Sequence, residues 1–297
     1  MLTLGIVDFD SSHAVEFTRR INRCAIAEDQ FVEGAKILFG YPGGAEQARD
    51  RIELHTPQVV ECGVELVSDP REMIGKIDGV LVLSVQGDRH LEMASSFLEA
   101  GVPTYIDKPI SCKLEDLDRL IALAGNHETM LWSGSAARFA DDVAAMAAEL
   151  RQMGPMTGVQ VFGPAHESFL NRGLFHYGIH ITETMFALMG CGCERISALT
   201  SADCDLVGAR WSDGRIASIR GHRKGNTGYG FTCYTSQGIL HRNISLRTSY
   251  RNLCQEIVTA FQSGVPPVSL DETREIIRFL DAAESSRHQN GHPVPLN

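Results

Sequence analysis

Apolar runs alternate with amphipathic segments through the first 125 or so positions. Leu2 to Phe9 is almost unbroken apolar chain, Ala14 to Ile21 has helical spacing, and Ala35 to Phe39 is apolar again before the turn Gly40-Tyr41-Pro42-Gly43-Gly44. The pattern then predicts a polar helix from Ala45, a strand at Val64-Glu65-Leu66-Val67 and a short helix opening at Arg71-Glu72-Met73-Ile74. Gly79 to Ser84 is a wholly apolar strand, His90 to Glu99 a helix, and Val102 to Ile106 a fifth strand. Strands that are apolar throughout, rather than at every second position, are buried on both faces. That predicts a parallel, doubly wound sheet.

Past Leu114 the pattern changes. Helices at 114–126 and 140–152 bracket a strand near Met130-Leu131-Trp132. Met156 to Phe162 then begins a series of alternating strands, continued at 194–200, 205–210, 215–221, 228–236 and 238–246, with hairpin turn signals at Asp213-Gly214 and Gln237-Gly238. A helix from Ile179 to Met189 interrupts the series, and helices at 250–263 and 271–286 close the chain. The expected fold is an α/β Rossmann-type domain over 1–125 followed by an α+β domain over 126–297 with a large, mostly antiparallel sheet.

Composition narrows the class of protein. The chain has 297 residues, 43% hydrophobic and 22% charged, enough for two cores. A formal charge of −10 opposes nucleic acid and anionic membranes as partners. No apolar run approaches the ~18 residues of a membrane span, and Met1-Leu2-Thr3-Leu4 is not a basic leader. The eight cysteines lack framework spacing and read as reduced thiols, which points to the cytoplasm. Cys191-Gly192-Cys193 has no second pair to complete a zinc site.

Chemistry concentrates where the fifth strand ends, at Asp107-Lys108-Pro109. Ligands of open parallel sheets bind beyond the carboxyl ends of the strands, so Lys108 is aimed at a ligand, its ammonium near Asp107. A second group is His176, His180 and Glu183, at i, i+4 and i+7, which share one face of a helix and suit either a substrate or a divalent metal. His166 and Glu167, after the strand ending Phe162-Gly163, are expected to reach the same region.

Three segments in register resemble the glucose-fructose oxidoreductase / inositol dehydrogenase / rhizopine-catabolism (Gfo/Idh/MocA) family. Asp107-Lys108-Pro109 is similar to its Glu-Lys-Pro signature, and His176 to Glu183 to its Asp-x-Gly-x-His-x-x-Asp segment. The ending, from Glu256-Ile257-Val258 through Ser263-Gly264-Val265-Pro266-Pro267 to Gly291-His292-Pro293-Val294, has the family's cadence. The resemblance implies a nicotinamide cofactor, NAD or NADP, and hydride transfer to or from a sugar- or polyol-like hydroxyl. It implies His180 as acid/base, Lys108 beside the reacting hydroxyl, Arg138 and His176 near substrate, and Glu183 supporting His180. It also implies a homodimer or homotetramer assembled through the C-terminal sheet.

The chain departs from that family at the nucleotide fingerprint. Gly-x-Gly-x-x-Gly is replaced by Asp8-Phe9-Asp10-Ser11-Ser12-His13, so carboxylates stand where backbone would approach a pyrophosphate. A carboxylate ~6 Å from a phosphate costs on the order of 1–3 kcal/mol, which Ser11, Ser12 and a protonated His13 are expected to offset. At the end of the second strand, Phe39-Gly40-Tyr41-Pro42 offers neither an acid for ribose hydroxyls nor an arginine for a 2′-phosphate. After the fourth strand, Ser84, Gln86 and His90 are candidate ribose and nicotinamide contacts, with Lys108-Pro109 completing the cofactor side. These departures keep two rival readings open: a catalytically silent sugar-binding or regulatory relative, and a metal-assisted lyase or hydrolase using His176, His180 and Glu183.

Overall fold

The computed structural model describes residues 1–225 and 228–296, which divide into two compact units, Met1–Gly134 with Tyr250–Leu270, and Ser135–Ser249 with Asp271–Asn297. The first contains β1 (Leu2–Val7), α1 (His13–Asn22), β2 (Ala35–Tyr41), α2 (Arg49–Glu61), β3 (Glu65–Leu66), β4 (Gly79–Val82), α3 (His90–Glu99), β5 (Thr104–Ile106), α4 (Leu114–Asn126) and β6 (Leu131–Ser133). Its six strands lie in the order β3-β2-β1-β4-β5-β6, every neighbouring pair parallel. Leu4, Ile6, Val7, Val80, Leu81, Val82, Tyr105 and Ile106 are fully buried, as two-sided strands require. The expected helix at 71–74 is a single 3₁₀ turn, Pro70–Met73, capped by Asp69.

The second unit carries α5 (Asp141–Leu150), β7 (Met156–Pro164), α6 (Gly178–Met189), β8 (Cys193–Thr200), β9 (Cys204–Trp211), β10 (Ile216–His222), β11 (Tyr229–Thr235) and β12 (Ile239–Ile244). After the interposed α7 (Ser249–Ser263) come α8 (Leu270–His288) and β13 (Val294–Pro295). The seven strands run β12-β11-β7-β10-β9-β8-β13. All the pairings are antiparallel except that of β7 with β10. The Rossmann sheet and the mostly antiparallel second sheet are both as expected from the sequence.

The division of the chain differs from a cut at 125/126 in two places. The strand at Met130-Leu131-Trp132 is the last strand of the parallel sheet, Leu131, Trp132 and Ser133 pairing with Thr104, Tyr105 and Ile106. The first unit therefore runs to Gly134. The helix at 250–263 returns to it as well, because Leu253, Ile257, Val258 and Phe261 form a buried apolar stripe and the Phe261 ring fills the space over Gly79 of β4.

Candidate functional site

Beyond β1 the chain stays bonded to the end of β2, Asp8 N–H donating to Tyr41 O (2.9 Å) and Phe9 N–H to Pro42 O (2.9 Å). Asp8 occupies the left-handed region (φ 65), the conformation that favours glycine. Its carboxylate turns inward. Oδ2 accepts from the Ser84 hydroxyl and from Arg89 Nε and Nη2 (3.3 Å each), while Oδ1 is buried without a partner directly over Gly43, where a Cβ would come within 2.1 Å. Asp10 accepts from Val85 N–H (3.0 Å), and burial together with the Asp8 charge pushes its carboxyl up to about 6.

His13 is not free to meet a phosphate, contrary to the expectation from the sequence. Helix α1 buries it beside Phe17, ring centroids 4.9 Å apart and stacked. Its Nδ1 lies 2.7 Å from Asp107 Oδ2, a charge contact rather than a well-aligned hydrogen bond, and its Nε2 is 3.1 Å from the Tyr250 hydroxyl. Burial would raise the Asp107 carboxyl, but the charges of His13 and Lys108 hold it down to about 2. Asp107 therefore faces His13 and the Lys108 N–H (2.8 Å), and the Lys108 ammonium has no carboxylate within ion-pair distance among the described residues. Lys108 is half-buried at the carboxyl end of β5, before the buried Pro109.

Ser84, Gln86 and His90 separate in role. The Ser84 hydroxyl is spent on Asp8, and His90 is fully buried with Nε2 on Ser84 O (2.9 Å) and Nδ1 on Pro109 O (3.0 Å). His90 thus pins the end of β4 to the Lys-Pro turn instead of facing a ligand. Gln86 is half-buried and its amide has no hydrogen-bond partner among the described residues, so of the three it is the one open to a ligand.

A dinucleotide fits this loop with fewer donors than a glycine fingerprint supplies. The left-handed turn is kept and Ser12 is exposed at the head of α1, without a side-chain capping bond. Ser11 is buried and accepts from His13 N–H (3.2 Å), which leaves Ser12 to reach a pyrophosphate. Past β2 lies a cavity of about 290 Å³ lined by Gly43, Gly44, Glu46, Arg49, Ile52 and Glu53. These acids and this arginine stand just beyond the turn, a place where the sequence pattern around Phe39-Gly40-Tyr41-Pro42 gave no sign of them.

In the second unit, α6 delivers His180 from its first turn. The ring is fixed by Ser135, whose Oγ is 2.6 Å from His180 Nδ1 and also accepts from Ala137 N–H (3.2 Å). Close packing of α6 on β7 sets this placement, for a Cβ on Gly163 would meet Ile181 at 2.7 Å and Tyr229 at 2.6 Å. Tyr177, 37% exposed, gathers three histidines around its ring: His166 and His176 at 5.4 Å and His180 at 5.3 Å. Glu167 is elsewhere engaged, 2.9 Å from Arg287.

Arg138 and Glu183 belong to the interior. Arg138 Nη1 pairs with Glu183 Oε2 (2.6 Å) and Nη2 with Glu272 Oε1 (2.5 Å). Burial pushes the Glu183 carboxyl up against the pull of that guanidinium. Both side chains are buried and committed to this ion pair, and Ser135 rather than Glu183 holds His180. His176 precedes α6, so it does not share a helical face with His180 and Glu183, and among the described residues no three His, Cys, Asp or Glu side chains are grouped to hold a metal ion. Ser135 gave no signal in the sequence because it sits in the junction between β6 and the 3₁₀ turn Ala136–Phe139, which it caps, rather than in a motif.

The GFO_IDH_MocA family, described as an oxidoreductase family with an NAD-binding Rossmann fold, matches residues 43–135, downstream of the altered fingerprint. A candidate oxidoreductase subunit of a UDP-kanosamine synthase from Amycolatopsis mediterranei is 26% identical over 142 residues, covering 43% of this chain and 39% of that protein. Among solved structures, a probable dehydrogenase from Thermotoga maritima superimposes with a TM-score of 0.81 at 19% identity, over 99% of both chains. Scyllo-inositol dehydrogenase from Lactobacillus casei, with bound NAD(H) and scyllo-inositol, gives 0.81 at 16% identity over 100% of this chain and 99% of that one. The match to this family's model runs through the Lys108-Pro109 step, and both sheets of the fold are shared with these structures.

Proposed function

We propose that the protein is a nicotinamide-dependent dehydrogenase acting on a hydroxyl of a sugar- or polyol-like compound in the cytoplasm. The observation that carries this is the Ser135–His180 contact of 2.6 Å. With Nδ1 held by a hydroxyl that also takes a backbone N–H, the His180 ring is fixed and its Nε2 can accept the substrate's hydroxyl proton. In the first unit, Lys108 carries an ammonium with no carboxylate at ion-pair distance among the described residues, a group suited to stabilising negative charge. When bound, NAD(P) supplies the hydride acceptor, with Ser12 and Gln86 as its polar contacts. NAD is favoured over NADP, because the cavity beyond β2 holds two carboxylates, Glu46 and Glu53, against Arg49, itself 3.5 Å from Glu46. Such a site takes ribose hydroxyls better than a 2′-phosphate.

The test is cofactor reduction with NAD+ and NADP+ across a panel of inositols and sugars. His180→Ala and Lys108→Ala should each abolish turnover while nicotinamide binding, read by fluorescence, persists. Cofactor binding without turnover on any polyol would favour a regulatory relative instead.

A homo-oligomer, dimer or tetramer, is part of the same reading. The face of the second sheet away from α6 exposes Leu199 (66%), Ile216 (65%) and Ile239 (67%). An apolar face of this kind suits a second copy.

A further inference from the structure

The opposite end of that open face is basic. Ala217, Ile219 and Gly221 of β10 are buried, so Arg220 and His222 alternate onto the open face, with Lys224 just past the strand. Arg220 is paired in register with Phe162 of β7. The Phe162 ring lies 6.3 Å from His222 and stacks on His241 of β12 at 6.2 Å, interplanar angle 12°. Here a cavity of about 500 Å³ is lined by Phe162, His222, Lys224, Tyr229, Asn243 and Ile244, a size suited to a small molecule.

Among the described residues no carboxylate lines this cavity, in a chain whose net charge is −10. Nearby acids are spent elsewhere: Asp205 on Arg223, and Glu167 on Arg287 and Arg223. Burial and the charge of Arg220 hold the His222 ring below its usual range, so no acid compensates it. Lys224 likewise has no carboxylate partner within ion-pair distance among the described residues. Two of the three apolar residues proposed for assembly lie at the other end, Ile216 aligned with Gly158 and Ile239 with Tyr234, six positions from His222 or roughly 20 Å along the strands. Leu199 on β8, by contrast, is in register with Leu206 and Arg220.

We propose that this cavity receives the anionic group, carboxylate or phosphate, of the substrate, so that the substrate class is an acid sugar or sugar phosphate rather than a neutral polyol. The inference rests on the function proposed above and deepens it. Tyr229 joins the two places. It heads β11 on the α6 side, where a Cβ on Gly163 would meet both it and Ile181, and its ring stands edge-on to His180 at 6.3 Å. It also lines the cavity, which thus reaches round the strand ends from the open face. Phe162 and Tyr229 offer ring faces to sugar C–H groups, Asn243 offers an amide to hydroxyls, and Lys224 with His222 meets the anion.

Calorimetry on the full chain in phosphate-free buffer, with D-glucose 6-phosphate, D-glucuronate and D-glucose as probes, tests the assignment. At least one anionic probe should bind about ten-fold or more tighter than D-glucose, which is about 1.4 kcal/mol, and the preferred probe tells phosphate from carboxylate. Lys224→Met, at an exposed position that does not threaten folding, should remove about ten-fold of that affinity and leave D-glucose unchanged, and the His222 C2–H resonance should move with the anionic probe only. Equal affinity for the three probes, or an unaltered preference in Lys224→Met, would overturn the proposal. Because binding is read without hydride transfer, an anion-selective protein that reduces no cofactor sinks the dehydrogenase reading alone.

Discussion

His13 Nδ1 stands 2.7 Å from Asp107 Oδ2, which joins the loop after β1 to the acid of the Lys-Pro step inside one buried contact. The third fingerprint position has thus become a structural link. Its ring is held from the other side by the Tyr250 hydroxyl, contributed by α7, at 3.1 Å. Removing the His13 ring leaves the buried Asp107 carboxylate with the Lys108 N–H as its remaining close partner, and a buried charge with little compensation is costly. His13→Ala is therefore expected to destabilise the protein by about 3–5 kcal/mol, measured from urea midpoints at pH 7, and adding Asp107→Asn should recover part of that loss. Tyr250→Phe should cost only about 1 kcal/mol. A double variant no better than His13→Ala alone would show that the contact carries little charge.

Asp10 sets a pH dependence of opposite sign to the usual carboxylate. Its carboxyl is pushed from 3.8 up to about 6 by burial and by Asp8. Between about pH 4 and 6 the unfolded chain has released this proton and the folded chain still holds it, so folding takes up a proton. Stability should therefore fall as pH rises through that window, by on the order of 2–3 kcal/mol from this group, and Asp10→Asn should flatten the fall. Asp107, held down to about 2, works the other way and at lower pH: its contribution is complete above about 4 and is lost as pH falls toward 2. Urea midpoints at pH 4, 5, 6 and 7 separate the two. Cofactor affinity should also tighten below pH 6 through Asp10.

Arg138 offers a test that distinguishes a buried ion triad from a substrate contact. It pairs with Glu183 and Glu272 at 2.6 and 2.5 Å, with 7% of its side chain exposed. Arg138→Met should lower stability by about 3–5 kcal/mol, since two carboxylates lose their cation. At temperatures where the variant remains folded, KM for the substrate should be unchanged. A raised KM with unaltered stability would return Arg138 to the substrate.

Much of this was legible in the sequence, for reasons that can be named. Five of the six parallel strands show in the sequence, most plainly where two-sided burial leaves no polar alternation, as in Gly79 to Val82, while the sixth, Leu131–Ser133, reads in sequence as part of the second domain. The second sheet showed through turn dipeptides and period-two burial. His13 stands in sequence at the third fingerprint position, yet His13, Phe17, Arg20 and Ile21 fall on one buried face of α1, which helical spacing shows. The Arg138 triad left no local trace, since its partners are 45 and 134 residues away and a buried arginine looks in sequence like a functional one. The same holds for α7, which returns to the first unit across more than a hundred intervening residues and shows in sequence only as another amphipathic helix.

The exposed apolar end of the second sheet leads to a prediction about assembly. Ile216 and Ile239, at 65% and 67% exposure, lie on the face away from α6. Light scattering should give a mass above the 32.6 kDa of one chain at micromolar concentration, and Ile239→Glu should shift it toward that value by burying a charge at the contact. A wild-type mass of one chain would refute the assembly.

Ser135 is the residue on which the proposed chemistry turns. Its Oγ approaches His180 Nδ1 at 2.6 Å and takes the Ala137 N–H at 3.2 Å, so it fixes both the ring and the turn that follows. Ser135→Ala should cost about 1 kcal/mol of stability, the ordinary worth of such bonds. The larger effect should fall on turnover. A general base that samples several ring orientations loses much of its alignment, and kcat is expected to drop by about 10- to 100-fold with KM little changed. Ser135→Thr keeps the hydroxyl and should restore most of the rate. Steady-state kinetics with NAD+ and the preferred substrate at pH 8 provide the measurement. If kcat in Ser135→Ala equals that of the wild type, His180 does not act through this hydrogen bond. If Ser135→Thr is as slow as Ser135→Ala, the loss comes from packing at the turn rather than from the orientation of His180.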